Sequence, residues 1–151
     1  MAFQIFKKKT QIQDTKSLRI YRIPQSKNFR GFGRLIVTSH YENTQRDIMD
    51  LRIPDPDNKE HPYSIKISDS DIVFKEIDFN HSGIGSFAIF IDNHQIGTIF
   101  DGDEKNKEYI LAMIHGKVDA VHISINPQPI VTKEGTVYEY KTHLWMHIVK
   151  D

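Results

Sequence analysis

The side chains with most chemistry to offer are eight histidines, in a chain that has no cysteine. Histidine is a common metal ligand and the usual acid–base group near neutral pH. His143 and His147 come nearest to a ligand pair. They lie on a stretch, "TVYEYKTHLWMHIV", whose apolar and polar residues alternate, and this predicts a strand. Four strand residues span about 13 Å at ~3.3 Å each, so the two imidazoles share a face but not an ion. The other histidines are scattered singly. The lack of cysteine removes disulfides, zinc–thiolate sites and thiol nucleophiles together. "DGDEKN" at 101–106 shares its acidic opening with calcium loops. It lacks the glycine needed at loop position six, and Ala112 stands where position twelve needs a bidentate glutamate. No GxSxG or phosphate-loop pattern occurs. "GFG" at 31–33 and "GIG" at 83–85 do not lead into predicted helices. The expectation is no catalytic residue, no metal site and no cofactor, with a small enzyme of unrecognised site as the third-ranked alternative.

What remains is charge and aromatic surface. The net charge is zero, from 20 basic and 20 acidic residues. The balance is uneven along the chain. Residues 1–34 carry nine basic residues and one acidic residue, which leaves 11 basic and 19 acidic residues in the remainder. A basic segment on an acidic body suits a polyanion or an intramolecular contact. "FKKK" at 6–9 and "RGFGR" at 30–34 interleave aromatic and basic residues, as arms that track a single strand do. A net charge of zero argues against strong general DNA binding.

The elements that must position these residues follow from periodicity. "SLRIYRIP" reads as a short strand stopped at Pro24, and "RLIVTSHY" as a buried strand. Asn43 or Thr44 offers an N-cap for a short helix that ends before Pro54. "YSIKI" and "DIVFKEIDF" alternate and are β-branched. "SFAIFID" and "QIGTIF" are two strands joined by a short polar turn. "DGDEKNKEYILAMIHG" is the clearest helix, with Asp103 as its cap, Ile110, Met113 and Ile114 as its apolar stripe, and Gly116 as its stop. "AVHISI" is another strand, "NPQPIVTKEG" reads as a loop, and "TVYEYKTHLWMHIV" is the last strand. On that strand Tyr138, Tyr140, Leu144, Met146 and Ile148 share one face. Glu139, Lys141, His143 and His147 share the other, interrupted by Trp145. The fold class is mostly β with two helices: a small barrel or half-open sheet with short helical plugs. The predicted division is a basic N-terminal segment with a short β-segment over 1–34 and one β-barrel domain over 35–151. "MAFQIFKKKTQIQD" places its charges after a very short apolar patch, unlike a secretory signal. No apolar run approaches the ~18 residues that span a bilayer. The expectation is a soluble cytoplasmic protein.

The run "SFAIFIDNHQIGTI" resembles the signature hairpin of the HIRAN domain family. There an Ala-Ile-x-Val-like strand meets a short polar turn, then an apolar residue and Gly open the next strand. Here these are Ser86–Ile91, the turn Asp92–Gln95, and Ile96-Gly97. "VFKEIDFN", with Glu76 and Asn80, is similar to the family's preceding strand and turn. "EYILAMIHGKVDAVHISI" supplies the helix, stop and strand that follow. The resemblance covers roughly 35–125, with an apparent insertion between Leu51 and Ser70. The family's turn reads Asn-x-Tyr-Asp-x-Asn-Ala, whereas this chain has "NHSGIGS", with Ser82, Gly83 and Gly85 at the Tyr, Asp and Asn positions.

The resemblance implies a small barrel related to OB-folds. It implies a nucleic-acid-binding module, either a small stand-alone bacterial protein or a part of a DNA translocase in repair, that takes single-stranded DNA or its 3′ end. Single-strand binders need a cationic groove with exposed aromatic faces. The candidate residues are His40 and Tyr41 at a strand end, Arg46 opening the short helix, Asn80 and His81 in the turn, and Phe100, Lys105 and Lys107 near the second helix. The alternative is a protein-interaction module of the same fold without nucleic acid.

Overall fold

The computed structural model describes residues 18–57, 63–65, 67, 71–77 and 83–150. In chain order the elements are β1 (Ile20–Ile23), β2 (Gly33–Leu35), α1 (Glu42–Met49), β3 (Arg52–Pro54), β4 (Tyr63–Ile65), β5 (Ile72–Ile77), β6 (Ser86–Ile91), β7 (His94–Ile99), α2 (Glu104–Ile114), β8 (Val118–Thr132) and β9 (Gly135–Ile148). All strand pairing within the sheets is antiparallel. The sheets have the orders β1-β5-β6-β7, β2-β9-β8 and β3-β4. They are three sheets and not one closed barrel. Among the described residues no helix is long and apolar enough to cross a membrane.

The β6–β7 hairpin forms one side of the larger sheet, with β7 at its edge. Phe87, Ala88 and Ile89 are consecutive and buried, as are Ile96 to Ile99, so both faces of this hairpin are covered. The turn has two residues, Asp92 and Asn93, both at positive φ, and not the four expected over Asp92–Gln95. This is the conformation that two-residue hairpins need, and Asp and Asn tolerate it better than most residues. The Ile-Gly step has a packing reason. A Cβ at Gly97 would strike the Val37 side chain.

Residues 18–34 belong to the sheets. β1 pairs with β5, and β2 opens at Gly33. Arg19 donates to the Glu76 carboxylate through its backbone N–H, Nε and Nη2 at 3.0, 3.0 and 2.6 Å. That bonding raises the Arg19 pKa above its ordinary range.

Three further expectations need correction. Helix α1 begins after Tyr41 instead of Asn43 or Thr44, and no side chain caps it. It ends at Met49, and Arg52–Pro54 then forms an edge strand that the sequence does not announce. Asp103 holds the N-cap position of α2 but its side chain makes no capping bond. The largest correction concerns "NPQPIVTKEG", which is no loop. β8 runs through it to Thr132 and pairs with β9 along its whole length. Two prolines survive there for a geometric reason. Tyr140, opposite Pro127, directs its own N–H and C=O to Gln45, at 2.8 Å each, so this is a pair that exchanges no bonds with β8. Pro129 opposite Tyr138 has the same parity, and β8 is the edge of its sheet. A missing N–H costs little in such positions.

Two bridges join the larger sheets. Ser26 N–H donates to Val121 O at 2.7 Å and Val121 N–H to Pro24 O at 3.0 Å. Thr38 and Thr98 exchange bonds of 2.8 and 2.9 Å. Each helix adds a side-chain amide to this framework. Gln45 of α1 bonds both backbone groups of Tyr140 and the Ser39 carbonyl. Asn106 of α2, fully buried, accepts from Ile36 N–H at 2.8 Å and donates to the carbonyls of Ile36 and Phe100 at 2.9 and 3.2 Å. Ile110 and Met113 sit buried on the same helix, with Ile114 packed at the margin.

Replacing Asn106 with leucine removes its three hydrogen bonds to the backbone of Ile36 and Phe100. Each such bond contributes about 0.5–1.5 kcal/mol net. A chain of this size loses roughly 2–4 °C of Tm per kcal/mol. Asn106→Leu should therefore melt about 5–15 °C lower in a thermal scan. A Tm unchanged within error would show that the amide does not hold this junction.

Candidate functional site

The period of two in β9 decides which side chains meet solvent. Tyr140, Thr142, Leu144 and Met146 are buried, while Lys141, His143, Trp145 and His147 alternate on the outer face. The register carries the same face across the sheet. Trp145 stands between Arg34 of β2 and His122 of β8, and His143 stands opposite Ser124.

Aromatic rings crowd this face. Phe29, from the loop between β1 and β2, stacks on His122 with centroids 4.0 Å apart and planes 9° apart. Both rings reach Trp145, at 5.1 and 5.5 Å. Phe32 stacks on His147 at 5.1 Å. The Arg34 guanidinium lies over the Trp145 ring, 5.5 Å from its centroid. The segment "RGFGR" is thus laid along the face. On the opposite face β2 packs closely on α2, where a Cβ at Gly33 would collide with the Tyr109 hydroxyl.

The hydrogen bonds fix two imidazoles. His122 Nδ1 lies 2.8 Å from the Ser26 carbonyl, which only accepts, so Nδ1 carries the proton. His143 Nδ1 lies 2.6 Å from Arg34 Nη2, which only donates, so this nitrogen is the unprotonated one and the ring is neutral. Burial holds the His143 pKa below the usual imidazole value, and the charges of Arg34 and Lys141 add to the effect. His147 Nδ1 meets the Asp119 carboxylate at 2.7 Å.

Beside Trp145 the sheet opens into a cleft of about 270 Å³, lined by Arg34 to Val37, Lys105 and Lys141 to His143. A larger cleft of about 860 Å³ lies between α2 and β9, with Glu108, Tyr109, Asp119, His147 and Lys150 in its wall. Its charges are mixed. Among the described residues no three His, Asp or Glu groups converge as a metal site.

The residues singled out in the sequence fare unequally. Lys105 is brought into the cationic cleft. His40 and Tyr41 contact each other, with ring centroids 4.6 Å apart, and Tyr41 is half exposed, but no ring contact links them to Trp145. Arg46 is paired with Glu42 at 3.0 Å, and Lys107 with Glu104 at 3.2 Å, so both cations are partly neutralised. Phe100 is half-buried, and its carbonyl accepts from Asn106. Asn80 and His81 lie outside the described residues. Sequence reasoning did not assemble Phe29, Arg34, His122, Lys141, His143 and Trp145. The signal for them was a tryptophan interrupting an otherwise polar strand face.

No family model matches the chain, and no curated protein or solved structure matches it either.

The state of His143 makes a titration informative. Its imidazole should titrate below the usual value of about 6.5, and Arg34→Ala should move that midpoint upward. The unfolded chain takes up this proton first as pH falls. His143 therefore favours the fold above about 6.5, and that contribution is lost as pH falls through the folded midpoint. NMR titration of the His143 ring measures both midpoints. A wild-type midpoint at or above the usual value would contradict the neutral, arginine-bonded imidazole.

Proposed function

We propose that this chain is a nucleic-acid-binding module of HIRAN-like, OB-related architecture, and that it takes single-stranded DNA across the outer face of β2-β9-β8. The bridges Pro24–Ser26 to Val121 and Thr38 to Thr98 support the barrel part of the proposal. They link the continuation of β1 to β8 and the continuation of β2 to β7, contacts that a half-open barrel would need. The family part rests on the sequence resemblance over roughly 35–125.

One observation carries the binding proposal. The single tryptophan stands on the solvent side of a sheet, flanked by Phe29 and His122, with an arginine over its ring. Buried cores do not need that arrangement, since the apolar layer of β9 lies on its opposite face. Bases stack on such rings whatever their identity, and neighbouring cations meet the phosphates. With a net charge of zero, attraction has to be local, and Arg34 and Lys141 supply it here. A broad face of this kind binds strand interiors as well as ends.

The second reading, a protein-interaction module, has its own observation. Beyond Ile125 the β8–β9 hairpin is largely exposed, with Ile130, Val131, Val137 and Tyr138 on its surface. Apolar side chains gathered on an exposed hairpin suit a protein partner.

Fluorescence anisotropy with a labelled oligothymidine strand separates the two. Trp145→Leu keeps an apolar side chain on the sheet but removes the indole. It should weaken binding about tenfold, since stacking is worth ~1–3 kcal/mol per base. Arg34→Gln should lower the slope of log affinity against log salt by ~0.7, one phosphate contact on a single strand. A loss confined to Tyr41→Ala would move the site to the start of α1. No binding at low salt would discard the nucleic-acid reading in favour of the exposed hairpin and a protein partner.

A further inference from the structure

Among the described residues some cations are held by carboxylates and others are not. Arg19, Arg46 and Lys107 pair with Glu76, Glu42 and Glu104. Arg34, Lys105 and Lys141 have no carboxylate partner among the described residues, and these three line one cleft. They come from β2, α2 and β9, up to 107 positions apart, so the fold and not the sequence gathers them. Like charges brought together without a counterion raise the energy of the fold. The depressed His143 pKa reports the same excess of positive potential, after burial as its first cause.

We propose that this cleft binds the terminal phosphate of a phosphorylated nucleic-acid strand, an inference that rests on single-strand binding across the Trp145 face. Chemistry favours a phosphate monoester. A monoester carries about −1.5 to −2 charges near pH 7 and presents three acceptor oxygens. An internal diester carries a single charge, and a chain of diesters is met by cations spaced along its path, not by three at one point. Donors of the right kind are present. Arg34 uses Nη2 on His143 and keeps its other N–H groups. Because His143 Nδ1 accepts that bond, the neutral ring carries its proton on Nε2, as a further donor. The two lysines add ammonium groups.

Size restricts what else enters. At about 270 Å³ the cleft is smaller than the ~300–1,000 Å³ usual for small-molecule sites. It suits a phosphate with its sugar at the mouth and leaves the base outside. Arg34 marks where that base goes, because the guanidinium that lines the cleft also lies over Trp145. A terminal nucleotide seated in this way puts its phosphate between the cations and its base against the indole.

The test uses the full chain and four labelled oligothymidine strands of one length: 5′-phosphorylated, 3′-phosphorylated, phosphorylated at both ends, and hydroxyl-ended. Anisotropy at fixed salt gives the four affinities. One singly phosphorylated strand should bind about tenfold tighter than the hydroxyl-ended strand, which is 1.4 kcal/mol. Which of the two does so identifies the strand end. Inorganic phosphate should erase that preference before it displaces the hydroxyl-ended strand. Lys105→Gln, a surface change, should cut the preference ratio to below about threefold, as one lost charge-assisted contact requires. Equal affinity for all four strands would overturn the terminal-phosphate site and leave single-strand binding standing. Binding of none of them at low salt would overturn both. A preference that survives both Lys105→Gln and Lys141→Gln would place the phosphate elsewhere and overturn the assignment to this cleft.

Discussion

Two side-chain amides, one from each helix, hold the architecture in register. A helix packed on a sheet normally contributes only an apolar stripe. Here Gln45 and Asn106 also bond backbone groups of other segments, as a neighbouring strand would. Asn106 fixes Ile36, two residues before Thr38 bridges to Thr98. Gln45 fixes Tyr140 and Ser39 at the place where β9 has outrun β2. Both amides work in buried or half-buried surroundings. There an unmade bond leaves a desolvated polar group, so the geometry is held strongly.

The outer face of β2-β9-β8 inherits its order from these anchors. Arg34 lies two residues from Ile36, and its direction is set once Leu35 is buried and Ile36 is bonded. Lys141 follows Tyr140 directly. Register then places Trp145 between Arg34 and His122, and the loop carrying Phe29 closes over His122. The aromatic and cationic side chains are thus carried on strands, with little freedom to collapse inward. Such pre-organisation suits a surface that must meet bases and phosphates at fixed spacing.

Much of this was legible from periodicity. The alternation of β9 put Tyr138, Tyr140, Leu144, Met146 and Ile148 on one face; Tyr140, Leu144 and Met146 are buried, Ile148 is half-buried, and Tyr138, far out on the hairpin, is exposed. The β6–β7 hairpin and the apolar stripe of α2 were legible for the same reason. Other features were not, and the causes differ. Proline ordinarily signals a break, but Pro127 and Pro129 fall where an edge strand makes no use of its N–H groups. The amide contacts join residues 70 and 95 positions apart, and no local pattern encodes them. Charge pairing, by contrast, was local and legible at i,i+4 and i,i+3 on the two helices, but it was not used. Arg46 and Lys107 read as available cations until Glu42 and Glu104 are placed beside them, whereas Arg34 and Lys141 were counted only as charges. Trp145 was visible as an anomaly on a polar face, and the structure shows what surrounds it.

Trp145 is also the most direct reporter, because it is the single tryptophan of the chain. Its emission can be followed during titration with unlabelled oligothymidine at low salt, alongside anisotropy of a labelled strand. Bases stacked on the outer face of β2-β9-β8 should quench the indole, with a midpoint matching the anisotropy curve, and added salt should reverse both together. Strand binding that leaves the Trp145 emission unchanged would contradict the account, for it would place the nucleic acid away from this face.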